Sequence, residues 1–124
     1  MVRQFASFFP NRCQVVEEPF RDVIPEQLRE WLVQGRAPRL IDVRDESEWA
    51  ICHLPGAELM PVRQIADWCA HLDPQQEILL YCHHGIRSLH AAMTLATKGF
   101  AHVMHLRGGL DAYSLRADPS MLRY

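Results

Sequence analysis

Four consecutive apolar residues, Ile78-Leu79-Leu80-Tyr81, run into Cys82 and then into the glycine-containing stretch His83-His84-Gly85. An unbroken apolar run this short reads as a buried strand. From Ser88 onward the spacing is helical, so strand, turn and helix follow one another without a spacer. Such a succession sets Cys82 at the strand's carboxyl end. There it faces free backbone N–H groups and the positive end of a helix dipole. These features favour the thiolate, the reactive form of a cysteine. One loop therefore constrains the fold and nominates a nucleophile.

The rest of the chain repeats the alternation. Pro25 opens a helix at a position where its missing N–H costs nothing. Leu28, Trp31 and Leu32 follow at helical spacing, and Gly35 stops it. Leu40-Ile41-Asp42-Val43 reads as a second buried strand, and Asp45 with Glu48 has capping-box spacing for a short helix through Trp49. Pro55-Gly56 is a turn, and Leu59-Met60 is a brief edge strand. Ile65, Trp68, Cys69 and Leu72 share one helical face that ends at Asp73-Pro74. Leu89, Ala92, Met93 and Ala96 give the helix after the cysteine its apolar stripe, closed by Gly99. His102 to Leu106 is a further strand, with Val103 and His105 on one face. A final helix covers Leu110 to Leu115, and Asp118-Pro119 closes the core. Strands alternating with helices predict an α/β domain with a mostly parallel central sheet flanked by helices. In such sheets ligands sit at the carboxyl ends of the strands, where Cys82 lies. Residues 1–20 form an N-terminal arm to which the pattern assigns no structure, although Phe5, Phe8 and Phe9 suit packing and Gln14-Val15-Val16 suits a short strand.

The 124 residues, 48% hydrophobic and 23% charged, suit one soluble domain. No apolar run is long enough for a membrane span. The N-terminus makes a poor signal peptide, and the C-terminus carries no lipidation motif. The four cysteines, at 13, 52, 69 and 82, have no paired C-x-x-C spacing, which fits reduced thiols in the cytoplasm. Net charge is −2, unevenly spread. From Ile78 to Leu110 there is no Asp or Glu, while the stretch holds Arg87, Lys98 and Arg107 along with His83, His84, His90, His102 and His105. A small anion is the natural guest of such a region. Three fixed charges make no basic stripe, so nucleic acid is not an expected partner.

Several ordered motifs resemble the rhodanese family of single-domain sulfurtransferases. They are Leu40-Ile41-Asp42-Val43-Arg44, Glu48-Trp49, His53-Leu54-Pro55-Gly56-Ala57, Tyr81 to Ser88, and Gly108-Gly109-Leu110-Asp111-Ala112-Tyr113. The resemblance covers residues 21–124 as one rhodanese-like domain. Cys52 stands where the family often has glycine, and Tyr113 where it often has tryptophan. The tail Asp118 to Tyr124 also resembles the endings of rhodanese domains, including some fused to enzymes that activate sulfur-carrier proteins.

The resemblance implies that Cys82 takes a sulfane sulfur from an anionic donor such as thiosulfate or a polysulfide. It then passes the sulfur from a persulfide to cyanide, a small thiol or a protein thiol, in a ping-pong scheme without a cofactor. His83, His84, Gly85, Ile86, Arg87 and Ser88 are the candidate substrate-binding residues. Their backbone N–H groups suit an anion nest, and the Arg87 guanidinium suits an oxyanion. Cys82 to Arg87 is a Cys-x4-Arg loop, whereas cysteine phosphatases and arsenate-reducing relatives carry a longer one. Two other readings use the same fold: a non-catalytic binding or regulatory module, and a relay that hands the persulfide sulfur to a protein partner.

The remaining polar residues carry less. His83 and His84 either shape the loop while neutral or add positive potential when protonated. No metal is expected, since adjacent ligands in a tight turn suit tetrahedral zinc poorly, with or without His53. Asp42, Arg44 and Glu48 are expected to brace the neighbouring loop, with Arg44 at the pocket rim. His53 is expected to bond the backbone. Cys13, Cys52 and Cys69 read as packing or surface thiols, with Cys52 the one candidate for a resolving thiol. Trp31 and Trp68 are expected in the core.

Overall fold

The computed structural model describes residues 19–124. The expectations for Phe5, Phe8, Phe9, Cys13 and Gln14-Val15-Val16 lie outside that range. The described chain runs β1 (Arg21–Val23), α1 (Pro25–Val33), β2 (Arg39–Asp42), α2 (Glu46–Ile51), β3 (Glu58–Leu59), α3 (Ile65–Trp68), β4 (Ile78–Tyr81), α4 (Ile86–Thr97), β5 (Val103–Leu106) and α5 (Gly109–Arg116). The five strands form one sheet in the order β1-β5-β4-β2-β3. Every neighbouring pair is parallel.

The apolar run of β4 is explained by its place in the middle of this sheet. Successive side chains of a strand point to opposite faces, and both faces of β4 are covered. Ile78, Leu80 and Cys82 join Ile41, Val43 and Val103 against Ala91, Ala92 and Leu95 of α4. Leu79 and Tyr81 join Leu40, Met104 and Leu106 against Leu28 of α1 and Leu110 and Tyr113 of α5. Burying a leucine or isoleucine completely contributes about 1.5–3 kcal/mol. The strand that presents Cys82 is thus among the best anchored parts of the molecule.

The predicted elements are present, with several corrections. β1 has no sequence signal, because only Val23 of its three residues is buried and the others face solvent at the sheet edge. The segment read as one helix from Ile65 is broken, a single α-helical turn between 3-10 turns at Val62–Gln64 and Cys69–His71. α4 begins at Ile86, two residues before Ser88. Its buried face is Ser88, Ala91, Ala92 and Leu95; of the predicted stripe only Ala92 is buried, and Met93 is 51% exposed. Small residues are what the close approach of α4 to the sheet admits, and a period count weighted toward large side chains selects the adjacent face. Trp31 and Trp68 pack at the margins of the two cores, only partly buried. Asp118-Pro119 does not end the ordered chain, since Leu122, Arg123 and Tyr124 all bond back onto the domain. Among the described residues, no helix is long and apolar enough to cross a membrane.

Candidate active site

Cys82 follows directly on β4 and is 1% exposed. Its sulfur accepts two backbone hydrogen bonds, from Gly85 N at 3.1 Å and from Ser88 N at 3.3 Å. The loop can curl back on the thiol because Gly85, the N-cap of α4, takes φ +104°, a region that side chains disfavour. The Ser88 amide is one of the first-turn N–H groups that an α-helix leaves without an internal partner. Strand end, left-handed glycine and helix start thus converge on one sulfur atom.

The outer side of the loop is braced by the start of α5. Leu110 N donates to Cys82 O at 2.8 Å and Asp111 N donates to His83 O at 2.9 Å. The approach leaves no room for a side chain at Gly109, whose φ is +65°. A Cβ built there would overlap the His83 carbonyl and crowd the Cys82 carbonyl oxygen at 2.7 Å. The Gly108-Gly109 pair is therefore a second support of the cysteine loop.

Arg87 has its guanidinium engaged. Nη1 and Nη2 donate to Glu48 Oε1 and Oε2 at 2.7 and 2.9 Å. Glu48 also accepts from the Tyr124 hydroxyl at 2.8 Å, and completes the capping box of α2 by accepting from Asp45 N. The Arg87 hydrogen bonds hold its carboxyl well below the usual range, at about 2, against the opposing effect of burial. The brace expected of Asp42, Arg44 and Glu48 is present with a different pairing: Glu48 holds Arg87, the residue expected to bind the anion, and Arg44 pairs with Asp42. Arg44 is not at a pocket rim, because it is fully buried. It donates to Asp42, to the Cys52 carbonyl at 2.6 Å and to the Tyr124 hydroxyl at 2.5 Å. Arg44 is therefore a structural link between β2 and the C-terminal tail.

His83 lies between two aromatic rings, His84 at 3.9 Å and Tyr124 at 3.9 Å between centroids. Burial, then the neighbouring His84, pushes its ring below the ordinary histidine value, and Nε2 is buried without a partner. Both features favour the uncharged ring. His84 points outward, with Nε2 3.9 Å from Asp111 Oδ2. His83, His84 and Asp111 together are the described residues that could approach a metal ion, their ligand atoms lying within 4.8 Å of one another. Arg123 already occupies Asp111 Oδ1 at 3.0 Å, and the ring contact between His83 and His84 opposes convergence on one ion. His53 bonds the Trp49 carbonyl through Nδ1 at 2.9 Å and stacks on that tryptophan, away from the thiol loop's contacts. Ile86 is largely exposed beside the loop. Cys52 Sγ contacts Leu122 O at 3.3 Å, and Cys69 is buried in the core on the α4 face.

Two further residues, His105 and Asp22, are not among the candidate site residues of the sequence. Ser88 Oγ is 3.5 Å from Cys82 Sγ and 2.9 Å from His105 Nδ1. On the far side of that ring, His105 Nε2 is 3.6 Å from Asp22 Oδ1. Neither His105 nor Asp22 is near Cys82 in sequence, and they are joined only by the parallel pairing of β1 with β5, in which Asp22 stands opposite His105. The even spacing of Val103 and His105 pointed to the correct face, but nothing linked that face to Asp22.

Comparison with known proteins places these features in context. The family model for the rhodanese-like domain matches residues 24–116. The probable adenylyltransferase/sulfurtransferase MoeZ of Mycobacterium tuberculosis is 39% identical over 82% of this chain, which spans only 26% of that protein's length. The thiosulfate sulfurtransferase GlpE of Ectopseudomonas mendocina is 30% identical over 76% of this chain and 84% of its own. The crystal structure of a rhodanese-like domain protein from Staphylococcus aureus superposes with a TM-score of 0.72 at 22% identity, covering 85% of this chain and 99% of that one. That last likeness concerns the fold.

Proposed function

The chain belongs to the rhodanese-like domain family, and from that premise we propose that it is a sulfurtransferase whose covalent intermediate is a persulfide on Cys82. The observation that carries the reading is the pair of N–H donors, Gly85 and Ser88, aimed at one sulfur at the carboxyl end of the central strand. An electron-rich sulfur held by backbone dipoles is what an attack on a sulfane sulfur requires.

With thiosulfate as donor, the Cys82 thiolate attacks the outer sulfur. The S–S bond of thiosulfate breaks, sulfite leaves with the bonding pair, and Cys82 carries a persulfide anion. An acceptor nucleophile, cyanide or a thiolate, then attacks the outer persulfide sulfur and releases the Cys82 thiolate. Charge balances in both halves, and no external oxidant or reductant enters. Negative charge is present on the loop throughout, so the backbone N–H groups from His83 to Ser88 act as the anion cradle. Because Glu48 holds both terminal nitrogens of Arg87, that residue contributes positive potential and a fixed loop rather than a free fork. The Cys-x4-Arg spacing favours sulfur donors over phosphate esters. The three described cysteines are free thiols, which supports a reducing compartment such as the cytoplasm.

The likeness to MoeZ supports a second reading of the acceptor, in which a protein thiol takes the sulfur. The test of both is turnover with thiosulfate and cyanide, measured as thiocyanate. Turnover that disappears in Cys82→Ser supports the enzyme. A persulfide that forms without thiocyanate production supports the relay, and absence of both with thiosulfate and polysulfide rejects the proposal.

A further inference from the structure

Cys82, Ser88 and His105 are 1%, 0% and 6% exposed, so the thiol has little direct access to water. A buried thiol that must become a thiolate needs an internal destination for its proton. The contacts form a continuous line from sulfur to solvent: Cys82 Sγ to Ser88 Oγ at 3.5 Å, Ser88 Oγ to His105 Nδ1 at 2.9 Å, and His105 Nε2 to Asp22 Oδ1 at 3.6 Å. Asp22 lies on the edge strand, its side chain 34% exposed.

We infer that Ser88, His105 and Asp22 form a proton relay that takes the Cys82 thiol proton through Ser88 onto His105, whose far nitrogen faces the Asp22 carboxylate at the sheet edge. Ser88 is the group that touches the reacting sulfur. His105 and Asp22 are positioning residues that act through it. The inference rests on Cys82 being the reacting thiol.

Atom by atom, the Cys82 S–H bond breaks as Ser88 Oγ accepts that proton. Ser88 passes its own hydroxyl proton to His105 Nδ1. The products are a thiolate that now accepts from the Ser88 hydroxyl and an imidazolium whose Nε2–H faces the Asp22 carboxylate. Discharge of the thiolate by the reverse path restores the starting state, and no electrons change hands.

The surroundings of His105 fit this assignment. A carboxylate opposite Nε2 favours the tautomer with the proton there, leaving the Nδ1 lone pair toward Ser88. Burial pushes the ring below the ordinary histidine value, with Asp22 opposing and Arg107 reinforcing that fall. Burial thus favours the unprotonated ring, the form that can accept a proton at Nδ1. Arg107 also bonds Asp22 at 2.9 Å and so fixes the carboxylate. Among the described residues, the edge of the Phe20 ring and the Gly85 backbone also face the ring, and neither carries a charge. The Ser88 hydroxyl has one competing acceptor, Gly85 O at 3.3 Å, which is farther than Nδ1.

The test is the pH titration of the Cys82 thiolate by ultraviolet absorbance, taken as the difference from Cys82→Ser, in the full chain. His105→Asn keeps a hydrogen-bonding group beside Ser88 but removes the base. The expected result is a thiolate midpoint raised by about one pH unit, about tenfold less thiolate on the acidic limb. Asp22→Asn, at the exposed edge and so tolerated by the fold, is expected to shift it the same way by a smaller amount. By reciprocity, the His105 ring is expected to titrate at lower pH in Cys82→Ser, read by nitrogen NMR. Folded His105→Asn or Asp22→Asn protein with an unchanged midpoint overturns the relay. If His105→Asn fails to fold, Asp22→Asn and the His105 titration decide. An unchanged midpoint in a variant that still forms the persulfide would reject the relay while keeping the sulfurtransferase. Shifted midpoints without a persulfide would do the reverse.

Discussion

Glu48 and Arg87, 39 residues apart in sequence, meet through two parallel hydrogen bonds of 2.7 and 2.9 Å. The contact joins α2, which follows β2, to the first turn of α4, which carries the cysteine loop. A bidentate arginine–carboxylate pair fixes both distance and orientation. It is the loop's main side-chain anchor, complementing the backbone anchors from α5.

Replacing Glu48 by Gln is expected to lower stability by about 1–2 kcal/mol, because a half-buried Arg87 loses its charged partner. Arg87 keeps 35% of its side chain in solvent, which limits the cost. A double-mutant cycle of Glu48→Gln with Arg87→Gln, read by urea unfolding, should return a coupling of about 1 kcal/mol. Simple additivity would mean that the pair contributes nothing to the fold.

The pH dependence of that pair has a definite sign. The Glu48 carboxyl falls from an ordinary 4.5 to about 2 on folding. A group depressed in this way adds stability that is complete above 4.5 and is lost as pH drops toward 2. Acid unfolding of the parent protein should therefore steepen between those limits. Glu48→Gln should unfold along a shallower curve there, with the two curves converging near pH 2. Parallel curves would contradict the assignment.

Gly109→Ala should cost more than Gly99→Ala. Both residues have positive φ, +65° and +92°, but a Cβ at Gly99 meets open space while one at Gly109 collides with the backbone of His83. The exposed site is expected to lose about 1 kcal/mol from backbone strain alone. At Gly109 the loss should exceed 2 kcal/mol, of the order of overpacking a rigid site, and sulfur transfer should fall with it. Thermal denaturation of the two variants side by side separates strain from collision.

Tyr124→Phe removes one hydroxyl that donates to Glu48 and accepts from Arg44. Arg44 is fully buried, so its Nη1 loses a partner without gaining water. The expected loss is about 1–3 kcal/mol. The ring stack on His83 is retained in this variant. A change below 0.5 kcal/mol in denaturant unfolding would show that the tail is not an integral part of the fold.

Legibility in sequence tracked how each element earns its place. β4 could be read to the residue because both of its faces are apolar. The start of α2 could be read because its capping box is local in sequence. β1 could not be read, since an edge strand of three residues with one buried side chain has no period to detect. At the site, Cys82 and its loop stood out because strand end, glycine and helix start are contiguous. The partner of Arg87 and the line through His105 to Asp22 are fixed by sheet pairing and helix packing, which no local pattern records. Arg44 divides the two: the brace expected of it is present as its buried pair with Asp42, while the rim position is not, because the fold buries the side chain.

The most direct test of the account is intact-protein mass spectrometry of the reduced protein before and after thiosulfate, with Cys82→Ser in parallel. A gain of one sulfur, about 32 Da, is expected in the parent, absent in the folded variant and removed by cyanide, as covalent catalysis at a single activated thiol requires. An equal gain in Cys82→Ser, or no gain in the parent with either thiosulfate or polysulfide, would contradict it.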